Sequence, residues 1–322
     1  MMELHKELIA KREITDSTAS QYIRTLYKLN ADRPFNNLSW LKNIDSVHIR
    51  LDDYAESTKK SAVTSIVSAL SLVKDKPTYK KIYAYWFTEM MERINSQKNT
   101  DTTKKSEKQE ENWLSWDVIK GHLNRLHEEV QPYLSQPVVN ASQWETLLSY
   151  MILSLYTEFA PRRNQDYQLM KVVKKESQAT DENTNYLVLD GMKFIFNKYK
   201  TAKTHGRQTF DVPSRLNDVF FIYFRFHPLL HGKKISVKTG EIPLLVNYNG
   251  TTLSAVNSIT RILNRVFGKR IGATMLRHIY LSSKYDVEAM NDDAEKMAHS
   301  SSVQHDYMKG GEVQVVTIPT TT

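Results

Sequence analysis

Cysteine does not occur among the 322 residues of this chain. Its absence excludes disulfides, zinc–thiolate sites, iron–sulfur sites and a cysteine nucleophile. Long apolar stretches are missing as well, because no run approaches the roughly 18 residues of a membrane span. The first six residues also lack the apolar core of a signal peptide. We therefore expect a soluble intracellular protein with no membrane partner.

Several motifs of cofactor and metal enzymes are also missing. The chain contains no Gly-x-x-x-x-Gly-Lys phosphate loop and no Gly-x-Gly-x-x-Gly dinucleotide motif. No His-x-x-x-His pair lies on a predicted helix as a zinc site would require, and no dense group of Asp and Glu indicates a two-metal nuclease. We expect neither a cofactor nor a bound metal ion.

The charged residues give a mild basic excess that is spread along the chain. There are 44 Lys and Arg against 36 Asp and Glu, with a net charge of +8 and a pI near 9.3. Residues 1–112 hold 19 basic and 16 acidic side chains, or +3, and residues 113–322 hold 25 and 20, or +5. An excess of this size favours nucleic acid only weakly. If DNA is the partner, both parts must contact it as folded surfaces.

A polar segment divides the chain into two parts. Residues 96–112 include no apolar side chain, so the segment is interpreted as a linker or exposed loop. Residues 1–95 are predicted to form a helical domain and residues 113–309 a mixed domain, followed by a tail over 310–322.

The first part shows only helical patterns. Apolar residues recur at helical spacing over residues 19–26, 57–73 and 82–94. Asp16 or Ser17 is expected to cap the first of these helices. The aromatic stripe over 83–87 is interpreted as core rather than as a surface on which bases stack.

The second part mixes helices with short strands. Ser115 is expected to cap one helix, and Ser142 with Glu145 has the form of a capping box before a wide apolar face. Strands are predicted over residues 186–189, 193–199 and 208–212, and further helices over 220–226 and 256–267. Gly191 and Gly206 mark the bends. The predicted fold is mainly α with a small antiparallel β-sheet, an α+β class.

Four short segments of the second part contain the residues of chemical interest. They cover residues 161–166, 200–206, 275–278 and 297–301, and Tyr307 follows the last. Together they offer two arginines, a lysine, a histidine and a tyrosine. Two guanidinium groups can hold the non-bridging oxygens of an attacked phosphodiester, and a lysine can protonate the leaving 5′ oxygen. Tyrosine is a weak nucleophile at its ordinary pKa of about 10, so it needs such a cationic surrounding.

These segments resemble the boxes of the tyrosine recombinase (phage-integrase-like) family. Arg163-Asn164-Gln165-Asp166 is similar to its Arg-x-x-Glu/Asp box, Leu276-Arg277-His278 to the core of its His-x-x-Arg-His box, and Met297-Ala298-His299-Ser300-Ser301 to Leu-Gly-His-Ser-Ser. Tyr307-Met308-Lys309 is similar to the nucleophile and the residues after it. The boxes occur in the family order, with the strand pair between the first and the second. The resemblance covers about residues 115–310, and residues 1–95 match the family's core-binding domain in length and type.

The resemblance implies a role for each candidate. The implied catalytic residues are Arg163, Lys200, Arg277, His299 and Tyr307. Lys203 is the alternative to Lys200 as general acid, and Lys200 is preferred because it ends the predicted strand. Asp166 and His278 are interpreted as supporting residues, Arg162 as a phosphate or structural contact, and Lys59 and Lys60 as a solvated helix face that can also contact phosphate.

The chain departs from the family pattern at three places, one of which is the presence of two candidate lysines in the strand turn. Thr274 stands where the family usually has His or Lys, three residues before the second arginine, and threonine cannot transfer a proton. His278 or His299 would have to compensate. The spacing from His299 to Tyr307 is also one residue shorter than the commonest one. The sequence around Lys200 and Arg277 is similar to that of recombinases from large eukaryotic DNA viruses and related mobile elements. Such a recombinase would act in a host nucleus or viral factory.

The resemblance implies a site-specific recombinase or integrase that cuts and rejoins DNA through a 3′-phosphotyrosyl intermediate without metal or ATP. Its partners would be double-stranded DNA and further copies of itself. The copies would form a tetramer on two DNA sites, and its protomers would exchange the tail 310–322. Three alternatives remain open from sequence alone. They are a type IB topoisomerase, a catalytically impaired DNA-binding protein on the same scaffold, and a helical scaffold with fortuitous boxes.

Overall fold

The computed structural model describes residues 1–98, 105–231, 242–283 and 296–298. The chain forms two compact units, Met1–Asp101 and Thr102–Thr322. Of the described residues, most are helical and a minority form one small sheet. In that part of the chain no helix combines the length and the apolar character needed to cross a membrane.

The described part of the first unit is helical. Its helices are α1 (Met2–Arg12), α2 (Asp16–Leu29), α3 (Ile44–Asp52), α4 (Glu56–Ser71) and α5 (Pro77–Lys98). The three helical patterns correspond to α2, α4 and α5. The predicted cap of α2 is wrong: Thr15 is the N-cap, and its hydroxyl accepts a hydrogen bond from the Thr18 amide at 3.2 Å.

The core of this unit forms around α4, whose buried residues lie between Ala62 and Leu70. The interpretation of the aromatic stripe as core is right only in part. Trp86 is fully buried and Ile82 is nearly so, whereas Tyr85 and Phe87 are 38% and 41% exposed. A helix presents consecutive residues to different sides, so a run of adjacent aromatic residues cannot all enter one core.

The helices of the second unit surround α8. They are α6 (Glu107–Asn112), α7 (Trp116–Val130), α8 (Ala141–Thr157), α9 (Asn164–Gln168), α10 (Ala202–His205), α11 (Ser214–Phe226), α12 (Ser258–Phe267) and α13 (Ala273–Ser282). α8 is buried from Leu147 to Tyr156 and packs against α7, α11 and α12. Val256, expected on the apolar face of α12, precedes that helix and is 79% exposed.

Both ends of the polar segment 96–112 differ from the predicted loop. α5 continues to Lys98, and Ser106 with Gln109 forms a capping box that begins α6. Asn112 is buried, and its side-chain oxygen accepts a hydrogen bond from the Arg270 amide at 2.8 Å. Helices form here without an apolar face because caps and polar contacts satisfy the backbone.

The predicted capping box of α8 is also wrong. Asn140 is the N-cap, and Asn140 and Gln143 exchange side-chain and backbone hydrogen bonds, each of 2.9 Å. Ser142 therefore lies inside the first turn. Glu145 instead pairs with Arg265 of α12 at 2.6 Å, on the surface. Ser115 does cap α7, as predicted.

The sheet contains β1 (Lys171–Val173), β2 (Tyr186–Val188), β3 (Lys193–Phe196), β4 (Gln208–Asp211) and β5 (Ile242–Pro243). Its order is β4-β3-β2-β1-β5. The predicted antiparallel pairing is right for β2, β3 and β4, with Gly191 and Gly206 at positive φ in the bends. The sheet as a whole is mixed, because β1 pairs parallel with β2. β1 and β5 were not predicted from the sequence.

Candidate active site

Arg163 stands directly before α9, where the chain leaves the buried helix α8. Its backbone is extended and its carbonyl accepts a hydrogen bond from the Asp166 amide at 2.9 Å. The neighbouring Asn164 accepts a hydrogen bond from the Tyr156 hydroxyl at 2.7 Å and donates one to the Thr260 hydroxyl at 2.9 Å. The start of α9 is thus bonded to α8 and α12. Arg163 is half-buried, and its buried Nη1 has no hydrogen-bond partner among the described residues.

Arg162 is fully buried and forms an ion pair with Asp166. Its Nε donates to Asp166 Oδ2 at 2.9 Å, with both side chains at most 1% exposed. Its Nη1 donates to Gln208 Oε1 at 3.1 Å, and the guanidinium lies 3.8 Å from the centre of the Phe196 ring. Of the two roles considered for Arg162, these contacts favour the structural one, since the side chain is not accessible to a phosphate in this structure.

The positive charges of three arginines act on the carboxylate of Asp166. Burial raises the pKa of its carboxyl above the ordinary value, while the positive charges of Arg162, Arg163 and Arg277 oppose that rise. Arg162 has the strongest opposing effect because it also donates a hydrogen bond. Two arginines from different elements, Arg163 beside α9 and Arg277 on α13, therefore lie close enough to act on the same carboxylate. The role of Asp166 as a supporting residue stays a prediction.

The second arginine box lies on α13. Arg277 is buried, and its charge opposes the burial that raises the pKa of Tyr156 well above its ordinary value. Thr274 is exposed one turn earlier on the same helix, and His278 is half-buried. The position at which the family usually has a proton-transfer residue is therefore open to solvent and occupied by a hydroxyl.

Both candidate lysines are exposed in the connection between β3 and β4. Lys200 lies in the turn before α10 and does not end β3 as predicted, because that strand stops at Phe196; Lys203 lies within α10. The backbone before Lys200 is bonded on both sides by Asn185, which accepts from the Lys198 amide at 2.8 Å and donates to the Lys198 carbonyl at 2.9 Å. After it, the Thr201 hydroxyl donates to the Ala298 carbonyl at 2.6 Å.

Residues 296–298 connect this turn to the first arginine box. The Lys296 carbonyl accepts from Arg162 Nη1, and Met297 and Ala298 are fully buried. Ala298 has a positive φ of 56°, in the left-handed region that glycine enters more readily than alanine. The resembling box has glycine at this position. His299 and Tyr307 lie outside the described residues.

The DNA-contact candidates of the first unit lie on α4. Lys59 Nζ is 3.0 Å from Glu56 Oε1 and 3.4 Å from Asp52 Oδ1, and its side chain is 15% exposed. Lys60 is half-buried. The charge of Lys59 is offset by two carboxylates, so this lysine is part of a local ion-pair group, and contact with DNA stays a prediction.

The arrangement can bind a doubly charged or developing anion. The positive charges of Arg163 and Arg277 both act on the Asp166 carboxylate, and the turn with Lys200 is bonded to the chain that leads to His299. Sequence reasoning missed Asn164, Gln208 and Thr201, which bind the site's backbone and side chains. In the sequence, Asn164 and Thr201 were marked only by lying next to Arg163 and Lys200, and Gln208 only by its place on a predicted strand. In the described part of the chain, no group of His, Asp and Glu is placed to hold a metal ion.

Comparisons with known proteins gave one structural likeness. No family model matches the chain, and no curated protein sequence matches it. Among solved structures, the chain is similar to one described as "Crystal structure of XerA recombinase", with 11% sequence identity and a TM-score of 0.39. That likeness covers 96% of this chain and 93% of the other.

Proposed function

We propose that this chain is a site-specific DNA recombinase that cuts and rejoins DNA through a 3′-phosphotyrosyl intermediate. The observation that supports the proposal is that the positive charges of Arg163 and Arg277 both act on the buried carboxylate of Asp166. These arginines belong to two different boxes, and only folding brings them together. Charge placed in this way suits a group whose negative charge grows during the reaction.

The arginines would bind the scissile phosphate. Nucleophilic attack on a phosphodiester builds negative charge on its two non-bridging oxygens, and guanidinium groups match that pair of oxygens by donating two hydrogen bonds each. Asp166, bonded to Arg162, would orient the neighbouring Arg163. The arginines themselves supply the positive charge, so this chemistry needs no metal and no ATP.

Tyr307 would attack the phosphorus and form the 3′-phosphotyrosyl bond while the bond to the 5′ oxygen breaks. The phenol proton would pass to one of two histidines, His278 or His299. Lys200 would give a proton to the leaving 5′ oxygen, which departs as a hydroxyl. In the second step a 5′ hydroxyl from the partner strand attacks the phosphotyrosine and returns a proton to Lys200. The bond from phosphorus to Tyr307 breaks, and the histidine gives its proton back to the leaving phenolate. The covalent bond keeps the energy of the phosphodiester between the two steps.

Exchange between two duplexes requires several active sites. We propose that the protein acts as a tetramer on two DNA sites, with the tail 310–322 exchanged between protomers. Integration or excision of a mobile element is the corresponding biological reaction. The protein would then work wherever its DNA lies, in a host nucleus or a viral factory if the element is viral.

A trapped covalent adduct tests this proposal. The full chain is incubated with a pool of randomised duplexes in which a nick follows the cleavage position, so that the short 5′ hydroxyl strand diffuses away and the phosphotyrosine accumulates. Denaturing gels and mass spectrometry then locate the adduct. We expect it on Tyr307, and we expect Tyr307→Phe to abolish it.

The matched control is Tyr248→Phe, which changes an exposed tyrosine of the same unit. This variant should form adduct like the wild-type chain. Failure of the wild-type chain to form adduct with any duplex in the pool would exclude a recombinase. An adduct that relaxes one supercoiled duplex but never joins two would indicate a type IB topoisomerase instead.

One observation favours a second candidate, a catalytically impaired DNA-binding protein. Thr274 is exposed one turn before Arg277, where the resembling family usually has a residue that transfers protons. In that case DNA binding should weaken steeply with added salt, because bound phosphates release counterions. No covalent adduct should form in the wild-type chain, and Thr274→His should restore it if residue 274 is the cause of the impairment.

A further inference from the structure

Two hydrogen bonds attach residues 296–298 to the elements that carry the other boxes. Arg162 donates from Nη1 to the Lys296 carbonyl at the start of this segment. Thr201 donates from its hydroxyl to the Ala298 carbonyl at the end of it, at 2.6 Å. The segment itself is buried at Met297 and Ala298.

Each donor is a sequence neighbour of a residue assigned to the chemistry. Arg162 precedes Arg163, and Thr201 follows Lys200. The acceptor Ala298 directly precedes His299. The two bonds therefore join three segments of backbone. Each bonded residue lies next to a residue with a proposed role: the arginine Arg163, the general acid Lys200 or His299.

The turn that carries Lys200 is restrained from both directions. Asn185 bonds both backbone groups of Lys198, and the Tyr199 hydroxyl donates to the Gly206 carbonyl across the turn at 2.5 Å. Thr201 supplies a hydrogen bond from this restrained turn to Ala298, and the Arg162 guanidinium lies 5.0 Å from the centre of the Tyr199 ring. Without the Thr201 bond, Lys200 would keep the local shape of its turn but be held less firmly relative to residues 296–298.

The acceptor side is equally specific. Ala298 has a φ of 56°, a conformation that persists in a non-glycine residue only where the surroundings determine it. Its carbonyl accepts the hydrogen bond from Thr201, and its side chain packs in the main core of the unit. The hydrogen bond from Thr201 and the core packing together hold Ala298 in this conformation.

We propose that Thr201 is a positioning residue, whose hydroxyl sets the location of Lys200 relative to the segment before His299. The inference deepens the recombinase proposal and rests on it. A general acid must lie within hydrogen-bond distance of the oxygen it protonates, and a misplacement of about 1 Å can cost on the order of 100-fold in rate. Thr201 does not touch the DNA in this scheme; it acts through Lys200.

The test measures single-turnover cleavage on two matched duplexes. One has the ordinary 5′ oxygen at the cleavage position, and the other has sulfur in its place. A thiolate leaves without protonation, so the sulfur duplex does not need the general acid. We expect Thr201→Val to slow cleavage of the oxygen duplex by about tenfold or more and to leave cleavage of the sulfur duplex nearly unchanged. Lys200→Ala should show the same pattern with a larger slowing on the oxygen duplex.

Thr201→Ser keeps the hydroxyl and should restore cleavage of the oxygen duplex. Thr209 is exposed on the neighbouring strand β4, and Thr209→Val is the control for replacing a threonine hydroxyl with a methyl group. Amide hydrogen exchange in peptides covering residues 296–298 gives a readout independent of activity. Exchange there should rise in Thr201→Val and not in Thr201→Ser or Thr209→Val.

The outcomes separate this inference from the recombinase proposal. If the wild-type chain forms adduct through Tyr307 but Thr201→Val cleaves both duplexes at the wild-type rate, the inference is wrong and the recombinase stands. An equal loss on both duplexes would also overturn it, because Thr201 would then not act through Lys200. An inert wild-type chain would overturn both.

Discussion

His227 is expected to make the second unit sensitive to acid. It is fully buried at the end of α11, between the rings of Trp144 and Tyr223. The Leu229 amide donates to its Nδ1 at 3.3 Å, so the folded state has no place for a proton on that nitrogen. Burial lowers the pKa of His227 from 6.5 to about 4.

The sign of the effect follows from proton binding. Between pH 6.5 and pH 4 the unfolded chain binds a proton at this residue and the folded chain does not, so unfolding takes up a proton and acid favours it. The stabilisation is complete above pH 6.5. Relative to pH 8, the loss from this residue alone is about 2 kcal/mol at pH 5 and about 3 kcal/mol at pH 4.

Urea unfolding of the full chain at pH 8, 6, 5 and 4, fitted for two units, measures this loss. His227→Gln removes the titrating group, so the difference between the wild-type and variant free energies of unfolding should shrink by about 2 kcal/mol from pH 8 to pH 5. His231→Gln, four residues later and exposed, should keep the wild-type pH profile. A His227→Gln profile parallel to the wild-type one would refute the reasoning.

Two further pairs of variants test local features of the second unit. Asn140→Ala should lower the free energy of unfolding by about 1 kcal/mol because it removes the cap of α8 and the bond with Gln143, whereas Ser142→Ala should change it little. Gly268→Ala should cost roughly 1 kcal/mol because the residue after α12 has φ 62°, while Gly121→Ala inside α7, with open space at its Cβ, should stabilise by about 0.5–1 kcal/mol. Urea unfolding measures all four, and equal effects of the two members of either pair would contradict the assignment.

The regular elements were largely predictable because their signals are local. Apolar spacing predicted α2, α4, α5, α8 and α12, and alternation with glycine bends predicted the antiparallel part of the sheet. The missed strands β1 and β5 cover three and two residues, which is too short for a period to show. Their strand character comes from pairing with residues far along the chain, and no local pattern records that.

The sequence did not show which of two similar, nearby residues makes a given contact. Asn140 and Ser142 are both good capping residues, and the exact start of α8 decides between them. Arg162 and Arg163 are chemically identical, and both are spaced for a pair with Asp166. Packing decides that Arg162 is the buried partner, because its guanidinium lies against Phe196 of β3 and bonds to Gln208 of β4.

The sequence by itself determined which chemical groups this protein has: two arginine boxes, lysines at a strand turn, and a histidine box followed by Tyr307. It also excluded every thiol. Only the tertiary structure decided that the charges of Arg163 and Arg277 act on one carboxylate and that Thr201 bonds to Ala298. The physical reason is that residue type and spacing report interactions within a turn or a hairpin. Contacts between distant segments depend on how the helices and the sheet pack together.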